Sequence, residues 1–436
     1  MKRKSCLTEI TLAFSLAFLT FACTPSEPDY VPPTDGEVKF SALTPGASST
    51  NDWPQFRGPN RNGVSQETGL IRSWPESGPK TLWRKSIGVG YSGIAIESNR
   101  IYTSYADGSN EVAFCFDADS GDEIWRHILN KKYNEQYGDG PRSTPTIDGD
   151  FVYVLGSYGP LYALNKTTGE QIWTVNIHDA FGDKDGDLDR GYSCSPLIEG
   201  DMLIVNGGRQ PKATIVALNK RTGETIWTYQ NGRNSYSSQS AWDIGGTRQI
   251  VSPIGYGLVG LSAADGKELW KFPWDTSYDL NIAVPSFFPP NFVMLSSGYD
   301  KGAALLQITK SGDSWQVDRV WSNRHFRNHF NASVTQDGYV YGFDNNLLKC
   351  LDAKSGEEKW KARGYNKGSL LLADGMLVIL GEKGKLALVE VTPEAYNELA
   401  AAQVLSGKCW TAPSLSNGRL YARSQSELVS IDLMNP

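Results

Sequence analysis

Apolar and polar positions alternate over short stretches along most of this chain, with the period of two that a half-buried β-strand requires. Leu161-Tyr-Ala-Leu164 and Gln171-Ile-Trp-Thr-Val175 are two such stretches, and the polar residues between them read as a hairpin turn. That turn recurs. Asp117-Ala-Asp-Ser-Gly121-Asp-Glu-Ile-Trp125 returns as Asn165 to Trp173, Asn219 to Trp227, Ser262 to Trp270 and Asp352 to Trp360, always with Gly four residues ahead of Trp. Asn or Asp opens such a turn by accepting bonds from its own backbone, and the Gly can adopt the positive φ of a bulged loop. Two further strand-like runs joined by Asp-Gly or a similar pair precede each copy, as in Pro145-Thr-Ile-Asp-Gly-Asp-Phe-Val-Tyr-Val-Leu155. The repeating unit is therefore four antiparallel strands.

Self-similarity at roughly 40 to 50 residues marks an array of one unit too small to bury its own apolar face. The pattern predicts an all-β chain, an eight-bladed β-propeller of four-stranded antiparallel blades, with the recurrent Trp packed between blades. Fourth strands fall at Trp125, Trp173, Trp227, Trp270, Trp321 and Trp360, with a degenerate one at Glu398 to Leu405. The last unit, Cys409 to Leu433, holds three strands only. Thr81-Leu-Trp-Arg-Lys-Ser86 is an orphan fourth strand that would complete it, closing the ring and covering both edges.

Length and charge narrow the picture further. The chain of 436 residues would suggest two or three domains of ~150 residues, but a ring of blades absorbs the whole span. With 42 basic and 48 acidic residues the balance is −6, and the only basic run is Lys2-Arg-Lys4, so neither a nucleic-acid footprint nor a polybasic membrane patch is indicated. That run, the apolar stretch Ile10 to Phe21 and Ala22-Cys23 read as a bacterial export signal, too short for a transmembrane helix of ~20 residues. Leu19-Thr-Phe-Ala22 before Cys23 resembles a lipobox with Leu one place early. The expected organisation is a lipoprotein-type signal over 1–22, lipidation at Cys23, a disordered tether over 23–50 rich in Pro, Ser and Thr, and the propeller over 51–436. Cys115 and Cys350 occupy equivalent third-strand positions and suit buried hydrophobes; Cys194 and Cys409 lie on first strands, and a disulfide stays open for an exported protein.

The unit Ala-Leu-Asn-Lys-Thr-Thr-Gly-Glu-Gln-Ile-Trp173 resembles the repeat of pyrroloquinoline-quinone (PQQ)-binding-like β-propellers, as do Asp52-Trp-Pro-Gln-Phe-Arg-Gly-Pro59, Gly140-Pro-Arg-Ser-Thr-Pro-Thr146 and Gly364-Tyr-Asn-Lys-Gly-Ser-Leu-Leu-Leu-Ala-Asp-Gly375. The likeness spans about residues 51 to 434. It implies the propeller, and the family contains at least two functional classes. One class is the quinoprotein alcohol dehydrogenases, which hold PQQ in the central funnel beside a vicinal Cys-Cys disulfide and a calcium ion; the other is cofactor-free scaffolds of the BamB type, lipoproteins of outer-membrane assembly. This chain has no adjacent Cys pair and no C-x-x-C-H.

Other motifs count for little. Gly88-Val-Gly-Tyr-Ser-Gly93 matches a dinucleotide fingerprint, but strands rather than a helix follow it. Gly191-Tyr-Ser-Cys-Ser195 lacks the second Gly of a nucleophile elbow. Asp183, Asp185, Asp187 and Asp189 alternate along one loop and could converge on Ca2+, although Gly186 stands in the wrong place for an EF-hand. The starts of first strands come nearest the axis and should line one mouth of a channel. Tyr91, Arg142, Arg190 with Tyr192, and Tyr236 arrive there from the first four blades, and Asn281, then Arg327, Asn328 and His329, then Lys367 and Trp410 from the rest. Such a set suits an anionic or sugar-like ligand, or a protein partner. The expectation is an exported, lipid-anchored, non-catalytic binding or scaffold protein on the periplasmic side of the outer membrane, with an envelope protein or a small polar or glycan ligand as partner. No cofactor is expected. The alternatives are a PQQ- and Ca2+-dependent alcohol dehydrogenase and a polysaccharide-binding propeller.

Overall fold

The computed structural model describes residues 30–31, 38–41, 51–182, 189–209 and 211–434. The signal segment, Cys23, most of the tether and the loop bearing Asp183, Asp185 and Asp187 lie outside the described residues. Eight antiparallel sheets follow one another along the chain, seven of four strands and one that gains a fifth. Blades I to VII span residues 95–131, 146–176, 197–229, 240–273, 286–323, 334–362 and 369–403. Blade VIII combines Ser414–Ser416, Arg419–Arg423 and Glu427–Asp432 with Thr81–Ser86, whose Thr81 lies opposite Ile431 and Ser86 opposite Glu427. The ring closes as expected.

The recurrent turn works in two directions. Within its own hairpin, Asn165 Oδ1 accepts from the amides of Thr167 and Thr168, and Asn219 and Asp352 do the same in blades III and VI. Toward the preceding blade, the Gly leaves room for an indole. A Cβ on Gly169 would stand 2.7 Å from Trp125, on Gly223 2.9 Å from Trp173, on Gly266 2.4 Å from Trp227 and on Gly356 2.7 Å from Trp321. Trp83 of the closing strand stands in the same relation to Gly121 of blade I. Each indole N–H then donates to a carbonyl of the following blade: Trp83 to Ala118, Trp125 to Lys166, Trp173 to Lys220, Trp227 to Ala263 and Trp321 to Ala353, at 2.9 to 3.1 Å. Both conditions, positive φ and absent Cβ, make Gly obligatory there.

Cys115, Cys194, Cys350 and Cys409 are all buried free thiols, and Cys115 and Cys350 sit directly opposite Trp125 and Trp360 in the ladder. Burial pushes all four up, to about 11 for Cys194 and about 12 for the others, so they pack as small hydrophobes and are poor nucleophiles. Ahead of the ring, Tyr30–Val31 adds a fifth strand to the outer edge of blade V, and Phe40 stacks on Phe288 with centroids 4.6 Å apart.

Candidate functional site: an axial funnel with a floor

Strand starts at the axis were expected to open on a channel. Among the described residues the axis is crossed instead by the segment 51–67. Trp53 exchanges backbone bonds with Ile96 of blade I, and Pro54 accepts from the Ile147 amide of blade II. Arg61, 7% exposed, donates to the carbonyls of Ser195, Pro196 and Gln239 beside blades III and IV. Arg57 donates to Ala332 and Ser333 before blade VI, Ser65 and Gly63 bond Leu372 of blade VII, and Glu67 accepts from Gly418 of blade VIII. Burial lowers Arg57 to about 10 and Arg61 to about 9, so both stay charged at neutral pH, their donors satisfied by carbonyls. The stretch Asp52 to Pro59, which carried part of the family resemblance, thus has a physical role that nothing in its composition announced. It turns a channel into a blind funnel.

The funnel encloses about 440 Å³, within the ~300–1,000 Å³ of small-ligand sites. Tyr91, Arg142, Arg190, Tyr236, His329, Lys367 and Trp410 line it, seven of the eleven residues expected there, and Trp53, Phe56 and Arg57 form its floor. The other four do not reach it. Tyr192 is 3% exposed and packs in the core between blades II and III. Asn281 bonds the carbonyls of Ile254 and Trp274 and accepts from Ser297; Asn328 bonds the Phe343 carbonyl and accepts from Ser333. Arg327 holds Asp344 at 2.7 Å and Asp300 at 3.0 Å. Strand starts carry loose peptide groups that must be satisfied internally, and these polar residues do that. The hydroxyls behave likewise: Ser92 donates to the Ser143 carbonyl, while Ser195 and Ser238 accept from the amides of Thr144 and Ser195, latching neighbouring blades.

The funnel wall also contains residues outside the predicted set: Glu135, Tyr137, Tyr299 and Phe330. Rings run around it in a continuous arc. Tyr91 lies 5.5 Å from Trp410, Trp410 5.0 Å from Phe330, Phe330 5.4 Å from His329 and His329 5.0 Å from Tyr299. Cations sit on these rings. Lys408 is 4.2 Å above Trp410, Arg190 4.9 Å above Tyr137 and Arg142 5.8 Å above Tyr91. Among the described residues, four cations of the lining, Arg57, Arg142, Arg190 and Lys367, stand against one carboxylate, Glu135, a surplus of three positive charges. Glu135 is itself held by Arg142 at 3.2 Å, by Arg190 at 3.9 Å and by the Tyr137 amide. Burial, then Lys367 and Arg190, lower His329 to about 4, which leaves its ring neutral at pH 7.

That donor set bears on the cofactor alternative. Calcium takes six to eight oxygens with carboxylates among them. Among the described residues the lining offers one carboxylate, already clamped by two guanidinium groups, inside a positive field. These residues do not fit a calcium-bound quinone. Asp189 is exposed, and its three partners in the alternating loop lie outside the described residues. Among the described residues no cluster of three or more His, Cys, Asp or Glu could hold a metal.

Comparison with known proteins yields both functional classes. The family model described as "Outer membrane protein assembly factor BamB" matches residues 108–277. The BamB assembly factor of Burkholderia pseudomallei is 25% identical over 372 residues, covering 78% of this chain and 87% of that protein. A quinoprotein ethanol dehydrogenase of Pseudomonas putida is 30% identical over 274 residues, 53% of this chain and 42% of the enzyme. Among solved structures, BamB from Moraxella catarrhalis superposes with a TM-score of 0.58 at 16% identity, over 82% of this chain and 98% of that one, a likeness of fold.

Proposed function

We propose that this chain is exported, carries lipid on Cys23, and works on the periplasmic side of the outer membrane as a non-catalytic binding scaffold whose working face is the funnel mouth. The observation that carries this reading is the funnel's composition among the described residues: cations stacked on aromatic rings above a closed floor, with the carboxylate of Glu135 engaged and the imidazole of His329 neutral. Such a wall binds an anionic group, and its imidazole is a weakened base whose Nδ1 has no nucleophile bonded to it among the described residues. The similarity to proteins named for outer membrane assembly supports a role in the envelope, and an envelope component is the expected partner.

The test is retention of that partner. The full-length protein, isolated from outer membranes after mild crosslinking, is expected to hold a discrete partner that Arg190→Glu with Lys367→Glu releases, and Cys23→Ala is expected to move the protein into the soluble fraction. The likeness to a quinoprotein dehydrogenase supplies the rival. If purified protein given PQQ and Ca2+ acquires a bound quinone absorbance and dye-linked alcohol oxidation, the scaffold reading is wrong.

A further inference from the structure

Two tyrosines at the funnel mouth are presented at a conformational cost. Tyr299 has φ +55° and Tyr278 φ +66°, left-handed values that bulky side chains avoid by roughly 1–2 kcal/mol. At Tyr299 the positive φ belongs to the two-residue turn that joins Phe292–Ser297 to Gly302–Ser311, closed by the Lys301 amide on the Gly298 carbonyl, and the ring is half-buried, whereas Tyr278 is 77% exposed. Each is followed by an Asp, also at positive φ, which an arginine holds: Arg233 bonds Asp279 at 2.8 Å and Arg327 bonds Asp300 at 3.0 Å. Arg327, expected in the funnel itself, is a positioning residue for the loop that carries Tyr299. With centroids 6.2 Å apart, the two rings extend the aromatic arc from Tyr91 past Tyr299 to the open rim. That turn and its arginine anchor present the Tyr299 ring to the funnel.

The arc's shape selects the occupant. Successive planes are inclined by 27°, 46°, 82° and 40° from Tyr91 to Tyr299, so the wall curves and tilts and does not form a parallel-sided slot. A flat polycycle needs facing parallel plates; a chain of puckered rings, each with an apolar C–H face, can lie on single aromatic faces one after another. Between the rings stand Arg190 and Lys367, and Lys367 has no ion pair among the described residues. The phenols of Tyr236 and Tyr299 likewise have no protein hydrogen bond among the described residues, and they are free for hydroxyl partners. Arginine's planar fork matches a carboxylate. The floor admits a chain end and bars threading through.

Resting on the funnel as the working site, we infer that its ligand is an acidic saccharide, the end of a chain of uronic-acid type, with rings on the Tyr91 to Tyr299 arc and carboxylates at Arg190 and Lys367. The test is calorimetric titration of the intact protein with tri-galacturonate, its methyl ester, maltotriose, tri-glutamate and PQQ. Tri-galacturonate is expected to bind, with affinity falling as salt rises, and the methyl ester and maltotriose are expected to bind at least roughly tenfold more weakly. Lys367→Met should weaken tri-galacturonate roughly tenfold, with Lys367→Arg restoring most of it; Trp410→Ala should weaken all saccharides alike, and Trp410→Tyr should rescue them. Arg327→Met should loosen binding through the Tyr299 loop while leaving its salt dependence unchanged. Tri-glutamate or PQQ binding as tightly as tri-galacturonate overturns the saccharide. So does silence from every probe; in that case a membrane partner still released by the Arg190 and Lys367 reversals leaves the funnel standing, and a partner that ignores them removes both proposals.

Discussion

The outer seam between blades and the inner rim of the funnel are built from the same eight units by opposite rules. At the seam one task recurs, and one solution recurs with it: an indole over the Gly of the next turn, its N–H on that blade's carbonyl. The exceptions show that geometry sets the rule. Trp270 faces blade V, whose outer hairpin Gly302–Ser311 and Ser314–Asn323 has no such turn, and it bonds Gln249 in its own sheet at 2.7 Å. Trp360 meets blade VII, which has lost the Gly turn, and donates to Thr392. At the rim each blade contributes something different, Arg142 here, Tyr236, Lys367 and Trp410 elsewhere. Uniformity is what closing a ring demands, whereas variety at equivalent positions is what the proposed asymmetric ligand would use.

Two tryptophans put that contrast to its hardest trial. Trp321 is fully buried at the seam of blades V and VI, and Trp321→Ala is expected to cost about 3–5 kcal/mol of stability, the range for a large core side chain left as a cavity. Trp410, half-buried at the rim against Tyr91 and Phe330, should cost no more than about 1–2 kcal/mol on replacement by Ala while weakening funnel binding. Urea midpoints at constant m measure both. Equal losses would mean that the rim is structural too.

A smaller effect separates the two reasons for Gly at the seam. Gly108 has φ +63° and nothing within 4 Å of where a Cβ would stand, whereas Gly266 has φ +70° with Trp227 at 2.4 Å. Gly108→Ala should therefore show only the left-handed penalty, about 1 kcal/mol. Gly266→Ala should lose a further ~1–3 kcal/mol, because Trp227 has to move. Adding Trp227→Ala ought to abolish most of that extra loss, and a double-mutant cycle reads it directly.

This contrast also explains what could be seen in the chain of letters. Repetition is visible without coordinates, so the eight blades, the Trp packing and closure by Thr81–Ser86 were all legible. Seven rim residues were legible because position in the repeat places them at the axis. Position does not say which way a side chain turns, and Asn281, Asn328 and Tyr192 turn inward to peptide groups or core. Tyr137 and Tyr299 were missed because they reach the funnel from loops outside the first strands, and the Gly-Tyr-Asp of 298–300 carries no repeat signal. The floor was missed for the same reason: Arg57 and Arg61 bond backbone carbonyls more than a hundred residues away, and carbonyls leave no mark in sequence.

The gentlest probe of the rim is its histidine. Burial, with Lys367 and Arg190 adding to it, holds His329 near 4, while Tyr299 and Phe330 pack against its ring. An unfolded histidine titrates near 6.5, so between about 6.5 and 4 the unfolded chain binds more protons and stability falls as pH falls; above 6.5 and below 4 this residue adds no slope. Because the ring is partly solvated the loss should stay under about 1–2 kcal/mol, and His329→Gln should flatten it. The C2 proton resonance of His329 is expected to titrate near pH 4 in the free protein, and a carboxylated ligand lying against Lys367 and Arg190 should raise that midpoint by cancelling their repulsion of the imidazolium. A free-protein midpoint near 6.5 would place the ring in open solvent and take from the rim the electrostatic character that sets it apart from the seam.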